Sequence, residues 1–280
     1  MQDIQGQELQ AKQQLVSTFN KVAEHYDCPA LRLFPFTADK LVSTVNVCPE
    51  MKVLDIACGT GAVATAIAQV IAPAAGRVFA IDLAVNMLDQ AEAQLIKMNL
   101  QNVDLHQMDA EKLDFRKEYF DLAISSFGLF FMTDMPAALK EWLRVIKPGG
   151  QLIFTSFGDS AFQPMAKMFF EDLQSVGVAV DKNPNVETLQ QAEQCKALME
   201  QAGTTDVSVE TVQMGYHLAG VQDWWEIVSH SGFRRHIEQI DRLELEAFRQ
   251  QHLESIAGLV TEKGIWMDVT VLITRARKPA

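Results

Sequence analysis

The sequence predicts an α/β fold: a doubly wound, mostly parallel sheet covered by helices on both faces, with an added helical cap. Three observations predict it. Five short apolar runs, MKVLDIA, RVFAID, NVDLHQM, FDLAISS and QLIFTSF, recur between residues 51 and 157 and alternate with stretches of helical character. The first run enters a glycine turn and an alanine-rich helix, VLDIACGTGAVATAIA at 53–68. Two further segments of strand character, TDVSVETVQM and WMDVTVLITRA, follow a change of rhythm after residue 158 and bring the strands to seven.

In chain order, residues 10–46 read as helix, interrupted near Pro29 and Pro35. The five runs and their helices make the central unit over 47–158, and right-handed crossovers place any ligand at the carboxyl ends of its strands. Residues 160–202 read mostly as helix around the polar break DKNPN at 181–185, and 221–263 are helical again. Because the last strand comes after this insertion, 160–202 and 215–263 are expected to form one cap over the strand ends and to choose the substrate. The expected organisation is 1–46, 47–158 and 159–280, the last containing the two final strands. There is no internal repeat and no low-complexity segment.

With 280 residues the chain is long enough for one α/β domain and an added lobe. It carries 24 Lys and Arg against 36 Asp and Glu, a net charge of −12, without a basic cluster that could follow a phosphate backbone, so nucleic acid is not expected as a partner. The start, MQDIQGQELQAKQQL, lacks the character of a signal peptide, and no apolar run is long enough to span a membrane. A cytoplasmic protein without stable membrane insertion is expected, as monomer or homodimer. Cys28, Cys48, Cys58 and Cys195 show no CxxC pair or zinc-ligand spacing and read as buried small apolar residues.

The glycine turn carries the chemistry. Gly59 and Gly61 let the backbone pass close to a ligand, and the helix from Ala62 onward points free N–H groups at it. GTGAVA also fits the dinucleotide pattern, with Ala64 in its third place. Asp82, at the end of the second run and about 20 residues on, suits ribose hydroxyls in either reading. Asp55, inside the first strand, favours a ligand with an ammonium group over a pyrophosphate, which it would repel. Asp109 in QMDAEKLDF can accept from an adenine amino group while the Ala110 N–H meets a ring nitrogen. LRVIKPGGQL ends a helix at Pro148 and turns at Gly149 and Gly150.

VLDIACGTG, AIDLAVNML, QMDAEKLDF, FDLAISSFGLFF and LKEWLRVIKPGG, in that order and spacing, resemble class I S-adenosylmethionine-dependent methyltransferases, in particular the ubiquinone and menaquinone biosynthesis group. The resemblance covers about residues 15–157. It implies a Rossmann-like seven-stranded sheet with an antiparallel last strand, S-adenosylmethionine as cofactor, S-adenosylhomocysteine as product, and no metal. FNKVAEHYDCPA is similar to the family's N-terminal lid, whose aromatic and acidic residues, here Tyr26 and Asp27, fold over the cofactor. QDWWEIVSHSGFRRHIEQI and the last strand resemble members that act on polyketide-like and other natural products.

Residue by residue, the resemblance implies that Asp55 fixes the methionine ammonium, directly or through water. Ala57, Gly59 and Gly61 bring the turn against the methionine part and ribose, and Asp82 binds the ribose hydroxyls. Leu83 and Met87 pack on adenine, Asp109 and Ala110 read its edge, and Ser126 borders the reacting end. Two positions depart from the family: Ala57 stands where glycine is common, and Phe131 stands where many relatives carry a histidine before the segment resembling MTD.

Methyl transfer is an in-line displacement helped by alignment and exclusion of water, and a general base adds roughly 10²- to 10⁴-fold where the acceptor must lose a proton. Tyr26 and His217, with His230 and His236, are the candidates for that base. The cap side chains Phe162, Met165, Met168, Phe169, Phe170, Met214, Tyr216, Trp224, Trp225 and Phe233 read mainly as core, with some lining an apolar pocket for a small lipophilic acceptor. The alternative from another class is a binding protein or cyclase that keeps the cofactor as scaffold.

Overall fold

A computed structural model describes residues 2–71, 75–180 and 183–280. Two helices, α1 (Gln2–Val22) and α2 (Leu33–Thr44), precede β1 (Lys52–Ile56), α3 (Ala62–Ala68), β2 (Arg77–Asp82), α4 (Val85–Lys97), β3 (Val103–Gln107), β4 (Phe120–Ser126), α5 (Met135–Val145) and β5 (Ile146–Phe157). The second half holds α6 (Met165–Ser175), α7 (Pro184–Thr188), α8 (Ala192–Gln201), β6 (Thr205–Gln213), β7 (Tyr216–Leu218), α9 (Val221–His230), α10 (Arg234–Ile237), α11 (Leu245–Ala257), β8 (Ile265–Met267) and β9 (Thr270–Arg277).

Seven strands form one sheet in the order β3-β2-β1-β4-β5-β9-β6, with β9 antiparallel to both neighbours and β1 to β5 parallel. The expected Rossmann-like sheet with an antiparallel last strand is what the chain builds. The order reverses between β1 and β4, so a crevice opens at their carboxyl ends. Val53, Leu54 and Ile56 are fully buried on both faces of β1, which is why this strand reads as a continuous apolar run.

The structure departs from the sequence reading at several places. Pro35 does not interrupt a helix; it lies in the first turn of α2, where its missing N–H has no intrahelical partner to lose. No helix follows β3: residues 108–119 run as a loop, because Asp109 draws the Glu111 and Lys112 N–H groups into a turn at 2.9 and 3.0 Å. That loop is held from α5, where Trp142 Nε1 donates to Ala110 O (2.8 Å) and Arg144 donates to Phe115 O and Leu113 O.

WMDVTVLITRA is two strands, not one. Asp268 Oδ1 accepts from Ser160 Oγ and from the Thr270 N–H, both at 2.9 Å, and this breaks the run. β8 then leaves the sheet to pair with β7 as a separate two-stranded ribbon. Within the polar break at 181–185, Asp181 and Lys182 lie outside the described residues, and Asn183 caps α7. Cys195 is buried, but Cys28, Cys48 and Cys58 are half-buried, so the expectation of four buried thiols fails for three.

Candidate active site

The turn after β1 is fixed from two sides by carboxylates. Asp82 Oδ2 accepts from the Gly59 N–H (2.9 Å) and Oδ1 from the Ala84 N–H (2.8 Å), so one side chain ties together the turns after β1 and β2. Asp55 Oδ2 accepts from the Ala64 N–H (2.9 Å), one of the free donors in the first turn of α3. Burial pushes the Asp55 carboxyl up to about 7; the Ala64 N–H opposes this, and the nearby Asp82 charge adds to it. Burial also raises Asp82, against the N–H groups of Ala84, Gly59 and Leu83.

Ala57 adopts a left-handed φ of +56°, a conformation that costs a residue with a Cβ about 1–2 kcal/mol. Its methyl group is accommodated because residue 128 is glycine. A Cβ there would come within 2.8 Å of Ala57 Cβ and 2.6 Å of Ser125 Oγ. Alanine at 57 thus carries some conformational cost, and the turn keeps its path.

The other wall is α1 and the segment after it. Lys12 Nζ lies 2.8 Å from Asp109 Oδ2 and also bonds Glu111, while Leu15, Val16 and Phe19 face the cleft. The Phe19 ring meets Phe131 at 5.3 Å and Tyr26 at 6.1 Å, both edge to face. Asn20 pairs with Asn86 through two bonds of 3.0 Å, which fastens α1 to the first turn of α4. Burial holds the Tyr26 phenol well above its ordinary pKa, and the charges of Asp27 and Asp82 push the same way.

The cleft brings together Tyr26, Ala57, Gly59, Asp82, Leu83, Met87, Asp109, Ala110 and Ser126. It leaves out others named from the sequence. Asp55 is 1% exposed behind the turn, and Gly61 faces α4, where a Cβ would stand 3.0 Å from Ala91 Cβ. Asp27 points away and accepts from Thr60 Oγ1 (2.8 Å). His217 is carried off on the β7–β8 ribbon with its ring 5.1 Å from Trp266, and neither His230 nor His236 lines the cleft. None of the ten large cap side chains lines it either: Met165, Phe169 and Trp224 are fully buried, and Phe233 packs on Phe162, Phe169 and Trp224. Sequence reasoning missed Lys12, Leu15, Val16, Phe19, Ala84, Met108, Glu111, Phe127, Gly128 and Met132 as lining residues. The helical spacing of Leu15 and Phe19 just before FNKVAEHYDCPA was the available signal.

The donor set tests which ligand fits. Asp82, Asp109 and Glu111 line the cleft, Asp55 stands behind it, and Lys12 is the cation among them. Such a wall repels a pyrophosphate and suits a ligand carrying ammonium and sulfonium charges. The Ala110 N–H makes no hydrogen bond among the described residues and stands beside Asp109, an acceptor and a donor side by side as an adenine edge requires.

A mostly parallel sheet of this order with an acidic cleft at its switch point fits a class I S-adenosylmethionine-dependent methyltransferase. The chain belongs to the ubiE/COQ5 methyltransferase family, whose model matches residues 7–219. It is 30% identical over 223 residues to the ubiquinone/menaquinone biosynthesis C-methyltransferase UbiE of Haemophilus ducreyi, covering 73% of this chain and 85% of the relative. It is 31% identical over 145 residues to the aklanonic acid methyltransferase DauC of Streptomyces sp., covering 52% and 66%. Among solved structures, a putative methyltransferase from Bacillus halodurans shares the fold with a TM-score of 0.58 and 22% identity, covering 87% of this chain and 99% of that one. No helix among the described residues is long and apolar enough to cross a membrane.

Proposed function

We propose that this methyltransferase transfers a methyl group to an oxygen, carbon or nitrogen atom of a small, lipophilic acceptor of aromatic or polyketide-like character. The observation that carries the acceptor class is the apolar wall near the end of β4. There Phe127, Phe131 and Met132 line the cleft with Phe19 and Tyr26. The names of the two relatives, one for quinone biosynthesis and one for aklanonic acid, lend support to a small organic acceptor.

In this reading residues 1–46 serve as a lid, 47–158 bind the cofactor and 159–280 form the cap. Asp82 takes the ribose hydroxyls, Asp109 and the Ala110 N–H take the adenine edge, and Leu83 and Met87 pack on its faces. Ala57 and Gly59 meet the methionine part, Gly61 shapes the turn from behind, and Asp55 reaches the ammonium through water. The bound cofactor supplies an activated methyl group on a sulfonium. The protein's own contribution is to orient the acceptor past Ser126, whose Oγ is held by Thr155 Oγ1 at 3.1 Å, and to exclude water beneath α1. No histidine lines the cleft among the described residues, and Tyr26 stays protonated, so an acceptor acidic enough to ionise by itself fits best.

The test is incubation with methyl-labelled S-adenosylmethionine and a panel of phenolic, quinol and polyketide acceptors. One S-adenosylhomocysteine per labelled product is expected. Turnover of an acceptor with the cofactor unconsumed would establish the scaffold alternative instead, and label entering only polar amino-acid acceptors would overturn the acceptor class.

A further inference from the structure

Away from the cleft, the segment between α1 and α2 meets α9. Cys28 Sγ, a Glu226 carboxylate oxygen and a His230 ring nitrogen all lie within 4.8 Å of one another, and His230 Nδ1 is 2.9 Å from Glu226 Oε2. A fourth metal-binding side chain stands at the edge of this group: the His25 ring lies 4.9 Å from the His230 ring, tilted by 50°. Sulfur, imidazole and carboxylate around one point are the ligand types of a tetrahedral zinc ion. Around zinc such atoms stand about 3.3–3.6 Å apart, so a side-chain adjustment of about 1 Å gathers them.

We propose that Cys28, Glu226 and His230, with His25 beside them, form a zinc-binding site that ties the segment carrying Tyr26 to the cap helix α9. The electrostatics agree with a cation there. Burial raises the Cys28 thiol, and the carboxylates of Glu226 and Asp223 raise it further. The Leu31 and Ala30 N–H groups oppose this, the Leu31 N–H being bonded to Cys28 O at 2.9 Å. A divalent ion reverses the carboxylate effect: the thiol gives its proton to solvent and the thiolate binds. Burial lowers His230, with His25 and Arg234 pushing the same way against Glu226. The one guanidinium that acts on His230 is directed elsewhere, since Arg234 donates to Glu238 Oε1 (3.0 Å) and to Ser229 O (3.2 Å).

The site joins two places that transmit to the cleft. Asp27, between Tyr26 and Cys28, bonds Thr60 on the glycine turn, and Tyr26 stacks on Phe34 at 4.8 Å. Metal bound at Cys28 and His230 therefore ties the stretch that lines the cleft through Tyr26 to the end of α9.

The experiment titrates the reduced full-length protein with Co²⁺, whose thiolate charge-transfer absorption reports sulfur ligation, and then displaces it with Zn²⁺. A band is expected at one equivalent in the wild type, lost in C28S, with affinity reduced about tenfold or more in H230A and E226Q. Glu226 is half exposed, so E226Q tests the site without disturbing the core, and circular dichroism checks the other two variants. Zn²⁺ is also expected to slow hydrogen exchange over residues 23–31. Absence of the band in the wild type, its survival in C28S, or unchanged affinity in both H230A and E226Q would overturn the site.

Discussion

On the sheet side of the cleft, the carboxylates of Asp55 and Asp82 accept from backbone N–H groups of the turns themselves; Asp55 is buried, and Asp82 is half-buried and faces the cleft. On the α1 side, Lys12 reaches Asp109 and Glu111 with about a quarter of its side chain exposed, and Phe19 leans on Tyr26 and Phe131. The first wall is preorganised, because its turns are held by bonds made in the absence of ligand. The second is held by bonds that each need a side chain, the Lys12 ion pairs and the Asn20–Asn86 pair, and a partly exposed ion pair is worth about 1 kcal/mol or less. The first wall is thus built before any ligand arrives, and the second is the one we propose closes on the cofactor.

The largest effect is expected on the sheet side. Asp82→Ala removes the acceptor of two turn N–H groups as well as the proposed ribose partner. Binding of S-adenosylhomocysteine should weaken by about 1–3 kcal/mol, read by calorimetry, because buried donors lose their partner. A folded variant with wild-type affinity would break the assignment.

Asp55→Asn sharpens the same side. It keeps an acceptor for the Ala64 N–H and removes the charge. In the wild type the folded-state value of about 7 lies above the usual carboxylate range, so the native state binds this proton more tightly than the unfolded chain does. Its contribution is fully present below about pH 4 and is lost as pH rises through about 7. Melting temperatures across that window should fall more steeply for the wild type than for the variant, and parallel curves would show that Asp55 is ionised throughout.

Smaller effects belong to the α1 side. Lys12→Ala should cost less than about 1 kcal/mol of stability. It should nonetheless quicken amide exchange over α1, and unchanged exchange there would mean that Phe19 and the Asn20–Asn86 pair hold the helix without it. Tyr26→Phe is expected to change least, with turnover within a few-fold and an unaltered pH profile, because the phenol is held protonated. Loss of a limb of that profile would make Tyr26 an acid or base after all.

What the sequence disclosed follows from how locally each feature is encoded. The β1 strand, its glycine turn, Asp82 and Asp109 lie in short segments whose spacing is set by one strand, one turn or one crossover, and the cleft contains the residues those segments carry. The α1 wall was legible only in part. Lys12 and Phe19 meet Asp109 and Phe131 across about a hundred residues of chain, and no local pattern records that pairing. His217 was misplaced for a related reason: the short β7 pairs with β8, almost fifty residues later, and that ribbon turns it away from the cleft. The proximity of Cys28 to Glu226 and His230 is likewise unrecorded in cysteine spacing, since the three meet only after the chain has folded. The aromatic residues of the cap were legible as core: the structure buries Phe169, Tyr216, Trp224 and Trp225 and packs the half-buried Phe162, Phe170 and Phe233 against them.

Hydrogen exchange with and without S-adenosylhomocysteine tests the two-walled cleft most directly. Ligand should protect the turns at 57–61, 82–87 and 108–110, and should protect α1 and the segment through Tyr26 by a larger factor, because that wall is the looser one before binding. Protection confined to the turns would leave the cleft uncovered by α1, and protection lying elsewhere in the chain would contradict this placement of the cofactor.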